Sequence, residues 1–578
     1  MHSLIREEKS GNMVDDEKMV KELTLEVEKL KNQLKRIKLK KKYGLVWEEE
    51  KEPENVVIEC QYKLPILTEV KENEIVKSKG GPINVIIEGD NYHALSVLNY
   101  THKKAIDVIY IDPPYNTGSE DWKYNNNFVD KNDAYRHSKW LNMMAKRLTL
   151  AKNLLKDDGV LICTIDENEF YRLGCLLEEL FYDYEIHCIT IVHNPRGVQG
   201  NNFSYTHEYA YFLFKDGLKV IGPRKLKEEE INGSNLRNWG GESLRSDALN
   251  CFYPILVKDM KIVGFGDVPP DSFHPKKQTE EKNGTYYVWP IDVKGTEHKW
   301  RYARQSVAAI KNILEVKKAD ERIEIEIKKN YGVVKTVWQD SKYDAGIYGT
   351  QLVHALVPKS HFDFPKSVYN VLDCISPILS TRKDAIVLDF FAGSGTTGHA
   401  TLILNKNDNG TRRFILCTNN ENNIAEEICY PRIKKVIEGQ PDYSDITGIP
   451  ANLKYFKTEF VNVDHIYQIS DEKRVEITYQ AGKMIALREN TLNEVEKNDW
   501  WQTFSNGRNL TAIYFKEDKS KLNKLVKHLS EIKADVALYI FSWGKNEYTN
   551  EFTEYENIRV EDIPEPIIEV YRELNKLA

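Results

Sequence analysis

The sequence predicts an α/β protein built on a doubly wound, largely parallel sheet, and three observations carry that prediction. From Ile83, apolar runs alternate with helical patterns: INVIIE, YHALSVLNYTHKKA, DVIYI, the long KNDAYRHSKWLNMMAKRLTLAKNLLKDDG, then VLICTID. Strands that alternate with helices of this length pair in parallel through helical crossovers. The same signature returns far along the chain in AIVLDFFAGSGTTGHATLILN, a strand, a small-residue turn and a helix, followed by the strand RRFILCTNN. Finally, the apolar runs end at acids, Asp90, Asp112 and Asp389. Ligands of such sheets sit beyond the carboxyl ends of the strands.

Five segments emerge from this pattern. Residues 1–52 form a charged, coiled-coil-like helix in which Val20, Leu23, Val27, Leu30, Leu34 and Ile37 step by three and four. Such a seam suits either a partner or the protein's own surface. Residues 53–214 carry the first α/β stretch. Residues 215–355 break the rhythm with turn signals such as Gly240-Gly241 and Pro269-Pro270, and place aromatics beside basic residues, so they read as an inserted domain. The α/β signature resumes over 356–454, and 455–578 form a smaller C-terminal domain.

A chain of 578 residues easily buries several cores. With 81 basic and 88 acidic side chains its net charge is −7, which argues against coating nucleic acid by bulk charge but allows a local basic cleft. No apolar run approaches the ~18–20 residues of a membrane span, and the polar start lacks a signal-peptide core. The eight cysteines include no C-x-x-C pair. That argues against a zinc ribbon or disulfide scaffold and for a reducing, cytoplasmic setting.

Two motifs carry chemistry. In Asp112-Pro113-Pro114-Tyr115, two prolines remove two backbone donors and fix φ, so the chain leaves its strand as a stiff loop. The Asp112 carboxylate and a neighbouring carbonyl then form a rigid pair of acceptors, a match for the two N–H donors of an exocyclic amino group. Tyr115 offers a flat surface on which a base can stack. The alternative is an ordinary Pro-Pro turn with a capping acid. In Asp389-Phe390-Phe391-Ala392-Gly393-Ser394-Gly395-Thr396-Thr397, small residues let a ligand approach the backbone. The third glycine of a dinucleotide fingerprint is missing and no P-loop lysine is present, so hydride transfer and ATP hydrolysis lose ground.

Together these residues resemble the amino-methylating DNA methyltransferases that use S-adenosylmethionine. DPPY resembles that family's target-base motif and DFFAGSGTT its cofactor loop. Their order, with Asp389 277 residues after Asp112, resembles the circularly permuted beta class, whose target-recognition domain lies between the two. The segment His361-Phe362-Asp363-Phe364-Pro365-Lys366-Ser367 resembles a further cofactor motif of that class. KKYGLVWEE, NPRGVQGNNFSYTHEYAYF, CTNNENN, CYPRIKKV and NLKYFKTEFV extend the likeness to the modification subunits of Type III restriction systems.

The resemblance implies transfer of a methyl group to adenine N6, with Asp112, Pro113, Pro114 and Tyr115 catalytic. Asp rather than Ser at 112 favours adenine over cytosine by family association. It implies cofactor contacts at Phe364, Lys366, Asp389, Phe390, Ala392, Gly393 and Gly395. Asp90 is either a contact to the cofactor adenine or a helix N-cap in Gly-Asp-Asn. The acid that usually binds ribose hydroxyls is absent at Thr418, with Asn419, Asn420 or Glu421 as substitutes. Asp166 and Glu167 read as a strand-end turn. Arg196, Arg237, Arg245, Arg301, Lys342 and Tyr343 are candidate DNA contacts, more suited to phosphate than to base reading. The implied partners are double-stranded DNA, a second copy of the chain, and a separate restriction subunit that is an ATPase-nuclease. An orphan methyltransferase, a non-catalytic specificity subunit and an RNA methyltransferase are the competing readings.

Overall fold

The computed structural model describes residues 54–577, apart from 126, 200–201, 320–321, 359, 361, 363, 440–446, 545–546 and 549. The expected N-terminal helix over 1–52 lies outside the described residues, as do His361 and Asp363.

The chain divides into two compact units. The first comprises residues through Leu218, Val337–Ile375 and Arg382–Ala578. It is organised by one mixed sheet. Its strands are β1 (Lys63–Glu69), β2 (Ile83–Glu88), β3 (Ile106–Ile111), β4 (Leu155–Ile165), β5 (Tyr184–Val192), β6 (His207–Lys215), β7 (Ile386–Asp389), β8 (Arg413–Thr418) and β9 (Asn452–Asn462). They lie in the order β1-β9-β2-β8-β7-β3-β4-β6-β5, with Val337–Trp338 beyond β5. The run from β9 to β4 is parallel. β1 is antiparallel to β9 at one side, and at the other β6 is antiparallel to both β4 and β5, while Val337–Trp338 pairs with β5 in parallel. Parallel central strands are covered on both faces and so are largely apolar. That is why every residue of β3, IDVIYI, is buried, and why IVLD and the FILCT of β8 are buried as well.

The helices arise from the same pattern. α1 (Asn91–Thr101) succeeds β2, α2 (Arg136–Leu154) runs into β4, and α3 (Thr396–Asp408) joins β7 to β8. α3 therefore leads the chain from β7 to one side of the sheet, and α2 leads it from β3 to the other. β7 and β3 are themselves neighbours, with Val387 opposite Val108. The two crossovers diverge between them, which opens a crevice at their carboxyl ends.

The expected division at 454/455 falls inside β9, which pairs with β1 and β2 in the central sheet. Residues beyond it build a five-stranded sheet, from Asn493–Lys497 to Ile558–Ile563, and a final helix, Glu565–Leu577. Ile567, Ile568 and Tyr571 of that helix join the core that holds Leu95, Leu98 and Trp140. Because it shares this core, the C-terminal segment belongs to the first unit and is not a separate domain.

The second unit is Lys219–Thr336 with Ser376–Thr381. It is narrower than the inserted domain expected over 215–355. It contains a four-stranded and a three-stranded antiparallel sheet around Leu236, Tyr253, Ile255, Trp300 and Ile325. The strand RIEIEI shows the period of two that such a half-buried sheet requires, with its isoleucines buried and its charged residues half-buried. Among the described residues no helix is long and apolar enough to cross a membrane.

Candidate active site

At the end of β3, Asp112 leads into the two prolines. The indole Nε1 of Trp140, on α2, donates to the Pro114 carbonyl at 2.7 Å and ties down the loop. Asn116 sits beyond it in the left-handed region at φ 58°, fully buried, and donates to the Glu169 carboxylate. The hydroxyl of Thr164, at the end of β4, donates to Asp112 Oδ1 at 2.7 Å. The Lys366 ammonium lies 3.3 Å from the same oxygen. Both partners meet Oδ1, and among the described residues none bonds Oδ2, which leaves that oxygen for an incoming donor.

Lys366 is the largest departure from the sequence reading. Expected among cofactor contacts, it is packed against the Asp112–Tyr115 loop. Its ammonium is bonded to Glu208 and to the Tyr115 hydroxyl, and lies 4.5 Å from the centre of the Tyr115 ring. Burial works against its charge, yet Asp112 and Glu208 hold its pKa above the ordinary lysine value. Phe364, two residues earlier, is 90 % exposed and at φ 57°, so its ring touches little of the fold.

Glu208 on β6 is a residue that sequence reasoning missed. It is fully buried and accepts from the Tyr115 hydroxyl at 3.1 Å and from Asn370 Nδ2 at 2.8 Å. Burial pushes its pKa up, but Lys366 outweighs this and the net direction is down. The available signal was an acid inside the apolar strand HEYAYFLFK: a buried carboxylate needs a cation and donors nearby.

The second motif lies at the end of β7, next to β3. Asp389 is buried; its Oδ1 accepts the Phe391 N–H at 3.0 Å and its Oδ2 the Thr397 hydroxyl at 2.6 Å. Burial pushes its pKa up to about 7, against those two hydrogen bonds and with a further contribution from Asp112. No ion pair reaches Asp389 among the described residues. The turn beyond it divides its labour. Gly393 is half-buried at φ 48°, with the Phe362 ring 3.2 Å from where a Cβ would stand, and the Ala392 N–H is already bonded to the Cys417 carbonyl at 3.1 Å. Gly395, at φ 79°, is buried and caps α3. A Cβ there would stand 3.1 Å from Cys429 Sγ and 3.4 Å from Ile433 Cγ1. Gly395 therefore serves packing and backbone shape rather than ligand contact. The Phe390 ring is likewise wholly in the core, and only its carbonyl, which accepts from Asn91 at 3.0 Å, faces the turn. In Gly395→Ala we expect a loss of about 1–2 kcal/mol from the left-handed backbone alone, read as a melting temperature lowered by a few degrees; an unchanged transition would show that the turn tolerates a side chain.

Two of the other predicted acids fill structural roles that the sequence reading also offers for them. Asp90 is the N-cap of α1, accepting the Tyr92 N–H at 2.7 Å, and lies 3.3 Å from the buried Arg147 guanidinium. Asp166 folds onto Asn168 in a strand-end turn, and burial raises its pKa to about 6. Glu421 is paired with Lys123, and Asn420 accepts the Glu426 N–H, which leaves Asn419 the freest of the ribose candidates.

Among the expected DNA contacts, Lys342 and Tyr343 lie in the first unit, outside the insert. Tyr343 is buried, bonded to Asp373 at 2.7 Å, and Lys342 pairs with the same carboxylate at 2.6 Å. In the second unit, Arg245 is buried against Glu297 and the Phe273 and Pro270 carbonyls, and Arg237 is buried beneath Trp239. These side chains hold their own folds. Arg196 is exposed, and Arg301 lines a cavity of about 290 Å³ with Glu230, Asn232, Ser234 and Lys329. Of the six, these two remain placed to meet a phosphate.

The family model described as DNA methylase matches residues 106–430, more than half of the chain and the whole span between the two motifs. The chain belongs to this family. Among curated relatives, this DNA methylase is 29% identical over 397 residues to the Type II methyltransferase M.KpnI of Klebsiella pneumoniae, an alignment that covers 64% of this chain and 90% of that one. It is 28% identical over 406 residues to the Type III EcoPI Mod subunit of Escherichia phage P1, covering 62% and 60%. It is also 28% identical over 408 residues to the StyLTI Mod subunit of Salmonella typhimurium, covering 64% and 58%. The chain thus spans about three fifths of the length of these two Mod subunits.

Proposed function

We propose that this chain transfers the methyl group of S-adenosylmethionine to adenine N6 at a specific sequence in double-stranded DNA, as the modification and specificity subunit of a Type III restriction system. The observation that carries the reading is the juxtaposition at the crevice. Motifs 277 residues apart in the chain end neighbouring parallel strands, one offering an acceptor pair and the other a buried carboxyl at a small-residue turn.

The turn fits the cofactor. Asp389 is a buried acid with no ion pair among the described residues, and burial raises its pKa accordingly. An ammonium or a ribose donor would satisfy it, and Gly393 adds no side chain to the turn beside it. S-adenosylmethionine, when bound, supplies an electrophilic methyl group on a sulfonium.

The remaining chemistry falls to the protein's own side chains. The target base must leave the duplex to reach this crevice. Tyr115 then gives it a face to stack on, with the hydroxyl held by Glu208 and Lys366. The adenine amine is a poor nucleophile because its lone pair is delocalised into the ring. Asp112 Oδ2 and the Pro113 carbonyl accept its two N–H groups, so acceptors already stand where positive charge develops on nitrogen. The Asp112 carboxylate offsets this charge, while the in-line displacement requires only alignment, with no enzyme nucleophile. Arg196 and Arg301 meet phosphate, and a second copy of the chain and a separate ATPase-nuclease complete the system.

Sequencing DNA from cells that express this chain alone tests the reading. Methyladenine at one short motif is the expected result; cofactor-supplied, folded protein that leaves DNA unmodified overturns it. The greater coverage of M.KpnI than of the Mod subunits favours a second reading, a methyltransferase that works without a nuclease partner. Co-purification with a restriction subunit separates the two.

A further inference from the structure

We propose that Glu208 is the positioning residue of the catalytic centre, holding Lys366 and Tyr115 in the arrangement that leaves Asp112 open to the target amine. The inference rests on the methyltransferase reading above and adds a residue which that reading does not require.

The geometry has three parts. Glu208 lies on β6 two residues from Ala210, whose register partner on β4 is Thr164, so Glu208 and Thr164 face the same side of the sheet. Thr164 is the residue that donates to Asp112 Oδ1 at 2.7 Å. The strand register thus sets the buried carboxylate and the catalytic one on a common face.

Next, Glu208 gathers three donors from two segments distant in the chain. Its Oε2 accepts from the Tyr115 hydroxyl at 3.1 Å and from the Lys366 ammonium, and its Oε1 accepts from Asn370 at 2.8 Å. His193, at the end of β5, stands 3.9 Å away. A carboxylate this fully buried is costly unless every lone pair is engaged, and this one lies beside the Asp112–Tyr115 loop.

Lastly, the ammonium is shared. Lys366 touches both Glu208 and Asp112 Oδ1, the latter at 3.3 Å. Without Glu208, the remaining carboxylate of this cluster is Asp112. A closed Asp112–Lys366 pair would compete with the amine for the catalytic acceptor, and the Tyr115 hydroxyl would lose its carboxylate. Glu208 keeps the ammonium shared, so that it meets the catalytic acid at Oδ1 alone.

The test uses the full-length chain with S-adenosylmethionine and a DNA substrate that the wild type methylates. In Glu208→Gln, an isosteric change, kcat at saturating cofactor should fall about 10–100-fold, the loss of one charge-assisted hydrogen bond or two. Cofactor Kd by calorimetry should move less than about threefold. The decisive variant is Glu208→Gln with Lys366→Met. Removing the freed ammonium should return part of the lost kcat, so the double variant is faster than Glu208→Gln alone. A merely structural Glu208 gives the opposite order, with the double variant no faster. Glu208→Gln that methylates at the wild-type rate also overturns the proposal. If the Gln variant loses its melting transition, Glu208→Asp, which keeps the charge one methylene shorter, takes its place with and without Lys366→Met, and the same order of rates decides. A wild type that methylates no DNA would instead sink the functional reading itself, which keeps the two failures distinct.

Discussion

Asp112→Ala should lose methyl transfer by about 100–1,000-fold or more, the scale seen when one preorganised polar group is removed from a developing charge. S-adenosylmethionine should bind that variant nearly as before. The argument is local. Asp112 contributes to the crevice an acceptor whose rotation is set by Thr164 at 2.7 Å, while the cofactor turn is built on the neighbouring strand from Asp389 and Gly393. Truncation leaves Lys366 with Glu208 as its carboxylate, so the cluster keeps a paired cation and the fold survives. Asp112→Asn sharpens the point. It keeps the shape but turns one acceptor into a donor aimed at an amine, and its rate should fall almost as far. Single-turnover transfer measured beside calorimetric cofactor binding checks both halves. A normal rate in either variant would remove Asp112 from the chemistry, and lost cofactor binding would merge the two subsites.

The sheet and its two chemical loops were legible because their signals are local. A largely apolar IDVIYI that runs into Asp-Pro-Pro announces a buried parallel strand with a stiff loop at its end. IVLD, ending in small residues, announces a second such strand with a turn open to a ligand. The meeting of distant segments could not be read in this way. Lys366 looked like a cofactor residue because its neighbours in sequence do, yet its ammonium is taken by carboxylates at the end of β3 and on β6. Glu208 was invisible as a site residue because its role exists only through three partners from two distant segments. Arg237, Arg245 and Tyr343 looked like DNA contacts because basic and aromatic residues suit that task in general. Burial is a tertiary property, and each proved to be sealed within its own unit. The C-terminal boundary failed for the same reason: β9 reads as an ordinary strand, and only pairing shows that it belongs to the central sheet.

Asp389 carries the second large effect, and its sign is set by the pKa of about 7. An ordinary aspartate loses its proton near pH 4. In the free folded protein, Asp389 keeps that proton up to about pH 7, so across this window the folded state binds more protons than the unfolded one. Its contribution to stability is therefore greatest below pH 4 and is lost as pH rises through 7. A cationic ligand reverses the preference, because it favours the carboxylate. Cofactor affinity should accordingly weaken about tenfold from pH 8 to pH 6, one unit to either side of the pKa, and binding near pH 7 should release a proton. Asp389→Asn should bind about 10–100-fold more weakly at pH 8, the value of a hydrogen bond to a charged group, and its affinity should be nearly flat over the same range. Its melting temperature at pH 8 should equal or exceed that of the wild type, since no buried carboxylate is then left without a cation. Calorimetry in buffers of different ionisation enthalpy measures the affinity and the proton together. A wild-type affinity that does not change between pH 6 and pH 8 would mean that the ligand leaves this carboxyl untouched, and that the buried acid only braces the turn through Thr397 and the Phe391 N–H.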